Sequence, residues 1–159
     1  ANLGEREIQL TRAAHLLAEN PSVDISRSSS IYQTAPWGYL EQPDFLNSVL
    51  KIETTLAPVP LLELTQSIER LIGRQPGIRF GPRLVDIDIL LYGDQPVRLE
   101  QPDLQIPHPR MHLRAFVLVP LAELAPTLIV PNLSVRVEEL RDGVDDKEGV
   151  ILWGTTEFG

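Results

Sequence analysis

The chain contains no cysteine among its 159 residues, and this absence excludes disulfides, thiolate zinc sites and a cysteine nucleophile. Long apolar runs are missing as well, so no stretch of the sequence is long enough to span a membrane as a helix. No secretory signal is visible, so we expect a cytoplasmic protein without a membrane partner. The length and an apolar content of 43% predict a single domain, residues 1–159, with a substantial core.

Lysine is scarce: the chain has two lysines against twelve arginines, and its net charge is −8. This negative balance argues against a nucleic-acid partner, which normally requires a basic surface. Seven of the arginines fall between Arg70 and Arg114, and the planar donor fork of arginine suits phosphate oxygens. This concentration favours a site for a phosphorylated ligand, with surface pairing to nearby acids as the alternative.

The stretch from Leu84 to Tyr92 alternates in polarity in the way that predicts a β-strand. The alternation puts Asp86 and Asp88 on one face, with Cα atoms about 7 Å apart. Strands disfavour aspartate, and neighbouring negative charges repel each other. This face is therefore either open to water or binds a cation between the carboxylates. The flanking apolar residues and the nearby Arg83 favour the metal site.

Other segments predict a series of helices and strands. Helical spacing of apolar residues predicts one helix over Glu7–Asn20 and a second over Leu61–Ile72, closed by Gly73. Between them, strands are predicted over Val23–Ala35 and Phe45–Thr55. Further short strands are predicted at Val97–Leu99, Val135–Val137 and Val150–Trp153.

The second of these strands carries an aromatic ring and an amide two residues apart, at Phe45 and Asn47, and this pair suits a flat heterocycle. His108 has no metal-binding motif around it, so it is interpreted as a hydrogen-bond donor to phosphate. The chain also has no glycine-rich phosphate loop and no nucleophile elbow. The residues alone therefore predict a metal-dependent enzyme acting on a phosphorylated substrate.

Several ordered motifs resemble those of the 6-hydroxymethyl-7,8-dihydropterin pyrophosphokinase family over about residues 2–126. They are SSIYQT at Ser29–Thr34, QPDFLN at Gln42–Asn47, GPRLVDIDILLYG at Gly81–Gly93, PHPRM at Pro107–Met111 and RAFVLVPLAELAP at Arg114–Pro126. The resemblance implies an enzyme of folate biosynthesis that transfers diphosphate from ATP to a pterin alcohol and releases AMP. It also implies an α+β fold, with helices packed on a ferredoxin-like antiparallel sheet in a three-layer α-β-α sandwich.

The resemblance further implies a set of site residues. Two Mg²⁺ ions would be held by Asp86 and Asp88, with ATP as co-substrate. The residues implied to bind the pterin are Thr34, Ala35, Trp37, Phe45, Asn47, Phe80 and Phe116. Those implied to bind ATP are Gln66, Glu69, Arg74, Arg83, Ile89, His108, Arg110 and Arg114, and among them Arg74 and Arg83 are the expected catalytic residues. We expect a monomer or a weak dimer.

The chain departs from the family pattern at its beginning, where Ala1 lies inside a turn that usually follows an apolar strand. The absence of that strand would leave an open slot beside the aspartate strand, so we expect either that a few further residues precede Ala1 or that another segment such as Val150–Trp153 fills the slot. Phe80 stands where the family usually has tryptophan, and Pro76 where an arginine is common. Two other functions stay open: a metal-dependent phosphohydrolase, and a ferredoxin-like ligand-binding module without catalysis.

Overall fold

The computed structural model describes residues 6–35, 44–73 and 85–155, which form a mixed α+β structure. Its α-helices are α1 (Arg6–Glu19), α2 (Pro58–Ile72), α3 (Ala115–Leu124) and α4 (Val137–Gly143). Its strands are β1 (Val23–Ser28), β2 (Ile31–Thr34), β3 (Phe45–Asn47), β4 (Leu50–Thr54), β5 (Val97–Glu100), β6 (Asp103–Ile106), β7 (Ile129–Val130), β8 (Val135–Arg136) and β9 (Ile151–Gly154). All the strand pairs among these residues are antiparallel. No described helix has the length and apolar character needed to cross a membrane.

The periodicity of the apolar residues predicted two helices, and α1 and α2 confirm both predictions. In α2 the buried side chains include Leu61, Ile68 and Ile72, which recur at helical spacing. The helix ends at Gly73, whose φ of 101° lies in the left-handed region, and its N–H donates to carbonyl oxygens of the last turn. These apolar stripes meet in a core that joins α1, α2 and β1.

The two long strands predicted before α2 are each divided in two. Ser29 lies at the first break, where its N–H donates to the Val49 carbonyl at 2.8 Å and its Oγ accepts from the Val49 N–H at 2.8 Å. A side chain thus replaces one carbonyl of the regular ladder, as serine readily does. As a result β1 pairs with β4, whereas β2 pairs with β3 in a separate sheet.

Strand β9 pairs with β2 and completes a three-stranded sheet in the order β3-β2-β9. The expectation that Val150–Trp153 fills a slot beside the aspartates is therefore wrong. The edge of β2 opposite β3 offers unpaired backbone groups, and β9 hydrogen-bonds there. Residues 127–155 also pack Val130 and Val137 against α3, in a second core.

The segment 85–92 is not a regular strand, contrary to the prediction for Leu84–Tyr92, and Leu84 lies outside the described residues. Strand structure requires a neighbouring strand for its backbone hydrogen bonds, and no described strand pairs with this segment. Other contacts hold it instead: the Tyr92 hydroxyl donates to the Leu56 carbonyl at 2.6 Å, and Val85 is buried in the first core.

Candidate active site

A cavity of about 740 Å³ lies along segment 85–92 and is also lined by residues of α1, α3, β3 and β4. Its volume falls within the range of small-molecule sites. Residues of β4 and of the aspartate segment both contribute to its lining. Many of the predicted site residues line it together: Thr34, Ala35, Phe45, Asn47, Asp86, Asp88, Ile89, Arg114 and Phe116.

One wall of the cavity is a face of the β2–β3 pair. Thr34 lies opposite Phe45 and Tyr32 lies opposite Asn47, so these four side chains share one face of the sheet. Leu46 points to the other face and is fully buried, which holds β3 in place. The Asn47 amide Nδ2 donates to Thr34 Oγ1 at 3.4 Å, a long bond that fixes the direction of the amide. The face thus presents a ring beside an oriented amide.

A second wall comes from the start of α3. The Arg114 guanidinium carbon lies 5.4 Å from the centre of the Phe116 ring, in the range of a cation–π contact. Phe116 is half-buried and packs against the second core. A cation and an aromatic ring therefore stand next to each other in this wall.

The aspartates occupy a third side. Asp86 is half-buried and Asp88 is exposed. The N–H of Ile87, between them, donates to Glu69 Oε2 at 3.1 Å, and Glu69 is itself buried on α2. The Glu69 carboxylate therefore anchors the backbone between the two aspartates.

The described residues contain no cluster of three or more histidine, aspartate or glutamate side chains suited to a metal ion. Asp86 and Asp88 nevertheless supply two carboxylates to the same cavity, and both are hard oxygen donors. Mg²⁺ is commonly bound by one or two carboxylates, with water and substrate phosphates completing its octahedron. The donor chemistry therefore fits Mg²⁺ when a phosphorylated ligand is bound.

His108 adjoins the aspartate segment, because its backbone N–H donates to the Leu90 carbonyl at 2.9 Å. Its Nδ1 accepts the Arg110 N–H at 3.3 Å, which leaves Nε2 to carry the proton of the neutral ring. Burial lowers the pKa of His108; Asp88 opposes this shift, and Arg114 and Arg110 add to it. The ring is thus poised as a neutral hydrogen-bond donor.

The remaining predicted residues divide into two groups. Four described residues that were predicted to bind ATP do not line the cavity: Gln66, Glu69, His108 and Arg110. Of these, Gln66 and Arg110 are exposed. The predictions for Trp37, Arg74, Phe80 and Arg83 lie outside the described residues. They stay predictions.

The family model for 7,8-dihydro-6-hydroxymethylpterin-pyrophosphokinase (HPPK) matches residues 1–126. The chain belongs to the HPPK family. Three bacterial relatives bear the name 2-amino-4-hydroxy-6-hydroxymethyldihydropteridine pyrophosphokinase. The Bacillus subtilis protein is 44% identical over 163 residues, covering 99% of this chain and 91% of its own. The Methylorubrum extorquens protein is 43% identical, with 86% and 85% covered, and the Haemophilus influenzae protein is 40% identical, with 92% and 91% covered.

The sequence did not indicate a role for two residues near this cavity, Tyr32 and Glu123. Tyr32 shares the face of Asn47, and its hydroxyl donates to Glu123 Oε1 on α3 at 2.7 Å. The alternation within Ile31–Thr34 would have placed Tyr32 on the face of Thr34. Nothing in the local pattern indicates its contact with Glu123, which is 91 residues away.

Proposed function

We propose that this cavity binds a pterin and ATP side by side and is the active site of the family's reaction. The chain is an ATP-dependent pterin diphosphokinase: it transfers diphosphate from ATP to the hydroxymethyl group of 6-hydroxymethyl-7,8-dihydropterin in folate synthesis. One observation carries the assignment of the site. Phe45, Asn47, Asp86, Arg114 and Phe116 come from distant parts of the chain and line the same cavity.

The pterin is proposed to lie between the rings of Phe45 and Phe116. Both rings are half-buried and border the cavity, and a flat heterocycle stacks favourably on aromatic faces. The Asn47 amide has a donor and an acceptor for the polar edge of the pterin, with Thr34 and Ala35 beside it. Trp37 and Phe80 are proposed as further aromatic contacts on the basis of the motifs alone.

ATP is proposed to place its phosphates between the aspartates and Arg114. The Arg114 guanidinium lines the cavity, and its fork of donors suits phosphate oxygens. Asp86 and Asp88 would hold two Mg²⁺ ions. These ions neutralise phosphate charge and align the reacting oxygens when bound. Further contacts with ATP are proposed from the motifs for Gln66, Glu69, Arg74, Arg83, Ile89, His108 and Arg110.

In the proposed reaction, the pterin hydroxymethyl oxygen forms a bond to the β-phosphorus of ATP. The bond from the β-phosphorus to the bridging oxygen of the α-phosphate breaks, AMP leaves, and the alcohol proton passes to solvent. Phe45, Asn47 and Phe116 orient the alcohol, whereas Arg114 stabilises charge on the phosphates. Such positioning and charge stabilisation account for most catalysis in phosphoryl transfer. His108 would donate from Nε2 to a phosphate oxygen, and Arg74 and Arg83 are proposed to close over the phosphates.

We also propose that the elements form the ferredoxin-like three-layer sandwich that the motifs imply. Antiparallel pairing of β1 with β4 and the packing of α1 and α2 on one core support this arrangement.

The activity is tested by incubating the full chain with ATP and Mg²⁺, with and without 6-hydroxymethyl-7,8-dihydropterin. We expect AMP release that depends on the pterin and a pterin product that carries two added phosphates. ATP hydrolysis at the same rate without pterin would instead identify a phosphohydrolase. Binding of both ligands without turnover would identify a binding module.

A further inference from the structure

Glu123 of α3 connects that helix to β2 through both of its carboxylate oxygens. Oε1 accepts the Tyr32 hydroxyl at 2.7 Å, and Oε2 accepts the Ser30 backbone N–H at 2.9 Å. The Ser30 hydroxyl donates to Oε2 as well, at 3.4 Å. Bonds from several neutral donors to one charged acceptor are stronger than bonds between neutral groups. Glu123 is exposed, yet its carboxylate is held in one direction by two residues of the chain around β2.

The sheet and the helix that Glu123 joins both carry residues that line the cavity. On the sheet side, Tyr32 is paired directly with Asn47 across β2 and β3. On the helix side, Phe116 lies seven residues before Glu123 on α3. Seven residues correspond to almost two full turns, so both side chains project from the same side of the helix. Pro120 lies between the two residues, but the helix is continuous from Ala115 to Leu124, so the contact of Glu123 with the sheet bears on the position of Phe116 relative to Asn47.

We infer that Glu123 and Tyr32 are positioning residues that set the width of the slot between Phe116 on α3 and the Phe45–Asn47 face of the sheet. The ligand that this slot would admit is a flat heterocycle one ring thick. The inference rests on the proposed function, since it assigns the pterin to this slot. Neither residue is proposed to touch the substrate.

The state of Tyr32 suits this role at all physiological pH values. Its burial and its contact with Glu123 raise the pKa of the Tyr32 phenol to about 12. The hydroxyl therefore stays protonated and remains a donor to Glu123 wherever the enzyme works.

The test uses Tyr32→Phe, Glu123→Gln and Glu123→Ala in the full chain, with Tyr92→Phe as a matched control. Tyr92 also donates a short hydroxyl bond, at 2.6 Å to the Leu56 carbonyl, but it holds the aspartate segment, so it is a control for the Kd of the pterin and for Tm and not for the Kd of the ATP analogue. For each variant we would measure the Kd of the pterin in the presence of a non-hydrolysable ATP analogue, the Kd of that analogue alone, and Tm. A calorimetric titration gives both dissociation constants.

We expect Tyr32→Phe to raise the Kd of the pterin about tenfold and Glu123→Ala to raise it at least as much, because part of the binding free energy must then be spent on ordering the slot. The Kd of the ATP analogue should rise by a smaller factor than that of the pterin, because Arg114 moves with α3 whereas the aspartate segment is not attached to Glu123. For Glu123→Gln, the Kd of the pterin should lie between those of the wild type and Glu123→Ala. The glutamine carbonyl still accepts from Tyr32, but its amide group faces the Ser30 N–H. The double variant Tyr32→Phe/Glu123→Ala should bind the pterin with the same Kd as Glu123→Ala, because both changes break the same connection.

Two outcomes would overturn the inference. In the first, the Kd of the pterin stays at the wild-type value while Tm falls as in Tyr92→Phe, which would make the contact purely structural. In the second, the Kd values of pterin and ATP analogue rise by the same factor, which would indicate a general loss of structure. Phe45→Ala and Phe116→Ala serve as references. If they leave the Kd of the pterin unchanged, the proposed pterin site itself fails; if they raise it and the Glu123 variants do not, only the present inference fails.

Discussion

Replacing Glu69 should weaken both the fold and the metal-dependent step, because this buried side chain holds the backbone between the two aspartates. Its Oε2 accepts the Ile87 N–H at 3.1 Å, and the residue is 8% exposed. A hydrogen bond to a charged group contributes about 1.5–3 kcal/mol. Glu69→Ala loses that bond and leaves the Ile87 N–H without its carboxylate partner. We therefore expect the free energy of unfolding to fall by about 2–3 kcal/mol.

The milder change Glu69→Gln keeps an acceptor oxygen but removes its charge. A neutral hydrogen bond contributes about 0.5–1.5 kcal/mol, so we expect a loss of about 1 kcal/mol. For a chain of this length, each kcal/mol corresponds to roughly 2–4 °C in Tm. Glu63→Gln is the matched control, since Glu63 lies exposed on the same helix. It should leave Tm unchanged within about 1 °C, as surface substitutions usually do.

The assay combines urea unfolding with a Mg²⁺ titration of AMP release. If Glu69 anchors the aspartates, Glu69→Gln should raise the Mg²⁺ concentration for half-maximal rate as well as lower stability. If it acts only as a contact to ATP, the KM for ATP should rise while unfolding without ligand stays as in wild type. Unchanged stability in Glu69→Ala would refute the anchoring role.

Three further predictions concern other residues. Asp86→Ala and Asp88→Ala should each lower kcat by more than about 100-fold while the circular dichroism spectrum is unchanged, because metal ions contribute several kcal/mol to such transition states; near-normal turnover with Mg²⁺ would rule out the metal assignment. Asn47→Ala should weaken the binding free energy of the pterin by about 1–3 kcal/mol with little change for ATP, since a buried hydrogen-bonding group of the pterin loses its partner; a pterin Kd equal to that of the wild type would reject this role. Gly73→Ala should lower the free energy of urea unfolding by about 1–2 kcal/mol, because a side chain is strained at its φ of 101°, and an unchanged unfolding midpoint would argue against that strain.

Local patterns predicted α2 and its end at Gly73 correctly, because helix periodicity and a left-handed cap depend on residues close in sequence. The breaks within the two long strands were not predictable in this way. The first depends on Ser29, whose hydroxyl bonds to Val49 twenty residues later. The aspartate segment was wrongly predicted as a strand because its alternation shows only which side chains share a face. Strand structure also requires a neighbouring strand, which a local pattern does not reveal.

The candidate site likewise has residues that the sequence identified and contacts that it could not reveal. The ordered motifs identified residues such as Phe45, Asp86 and Phe116, which the structure brings to one cavity. By contrast, Glu69 and Glu123 act on parts of the chain 18 and 91 residues away. A single sequence contains no local signal for such contacts, since one glutamate on a helix looks like another whether it is buried or exposed. The roles of Arg74 and Arg83 stay predictions from the motifs.

The central claim is that diphosphate passes as one unit from ATP to the pterin alcohol, and phosphorus NMR of the full reaction tests it most directly. With ATP, Mg²⁺ and 6-hydroxymethyl-7,8-dihydropterin, attack at the β-phosphorus predicts equal amounts of AMP and a pterin diphosphate. With Asp86→Ala in place of the wild type, the signals of these two products should be absent. Formation of ADP with a pterin monophosphate, or of free pyrophosphate in place of the pterin product, would contradict the account.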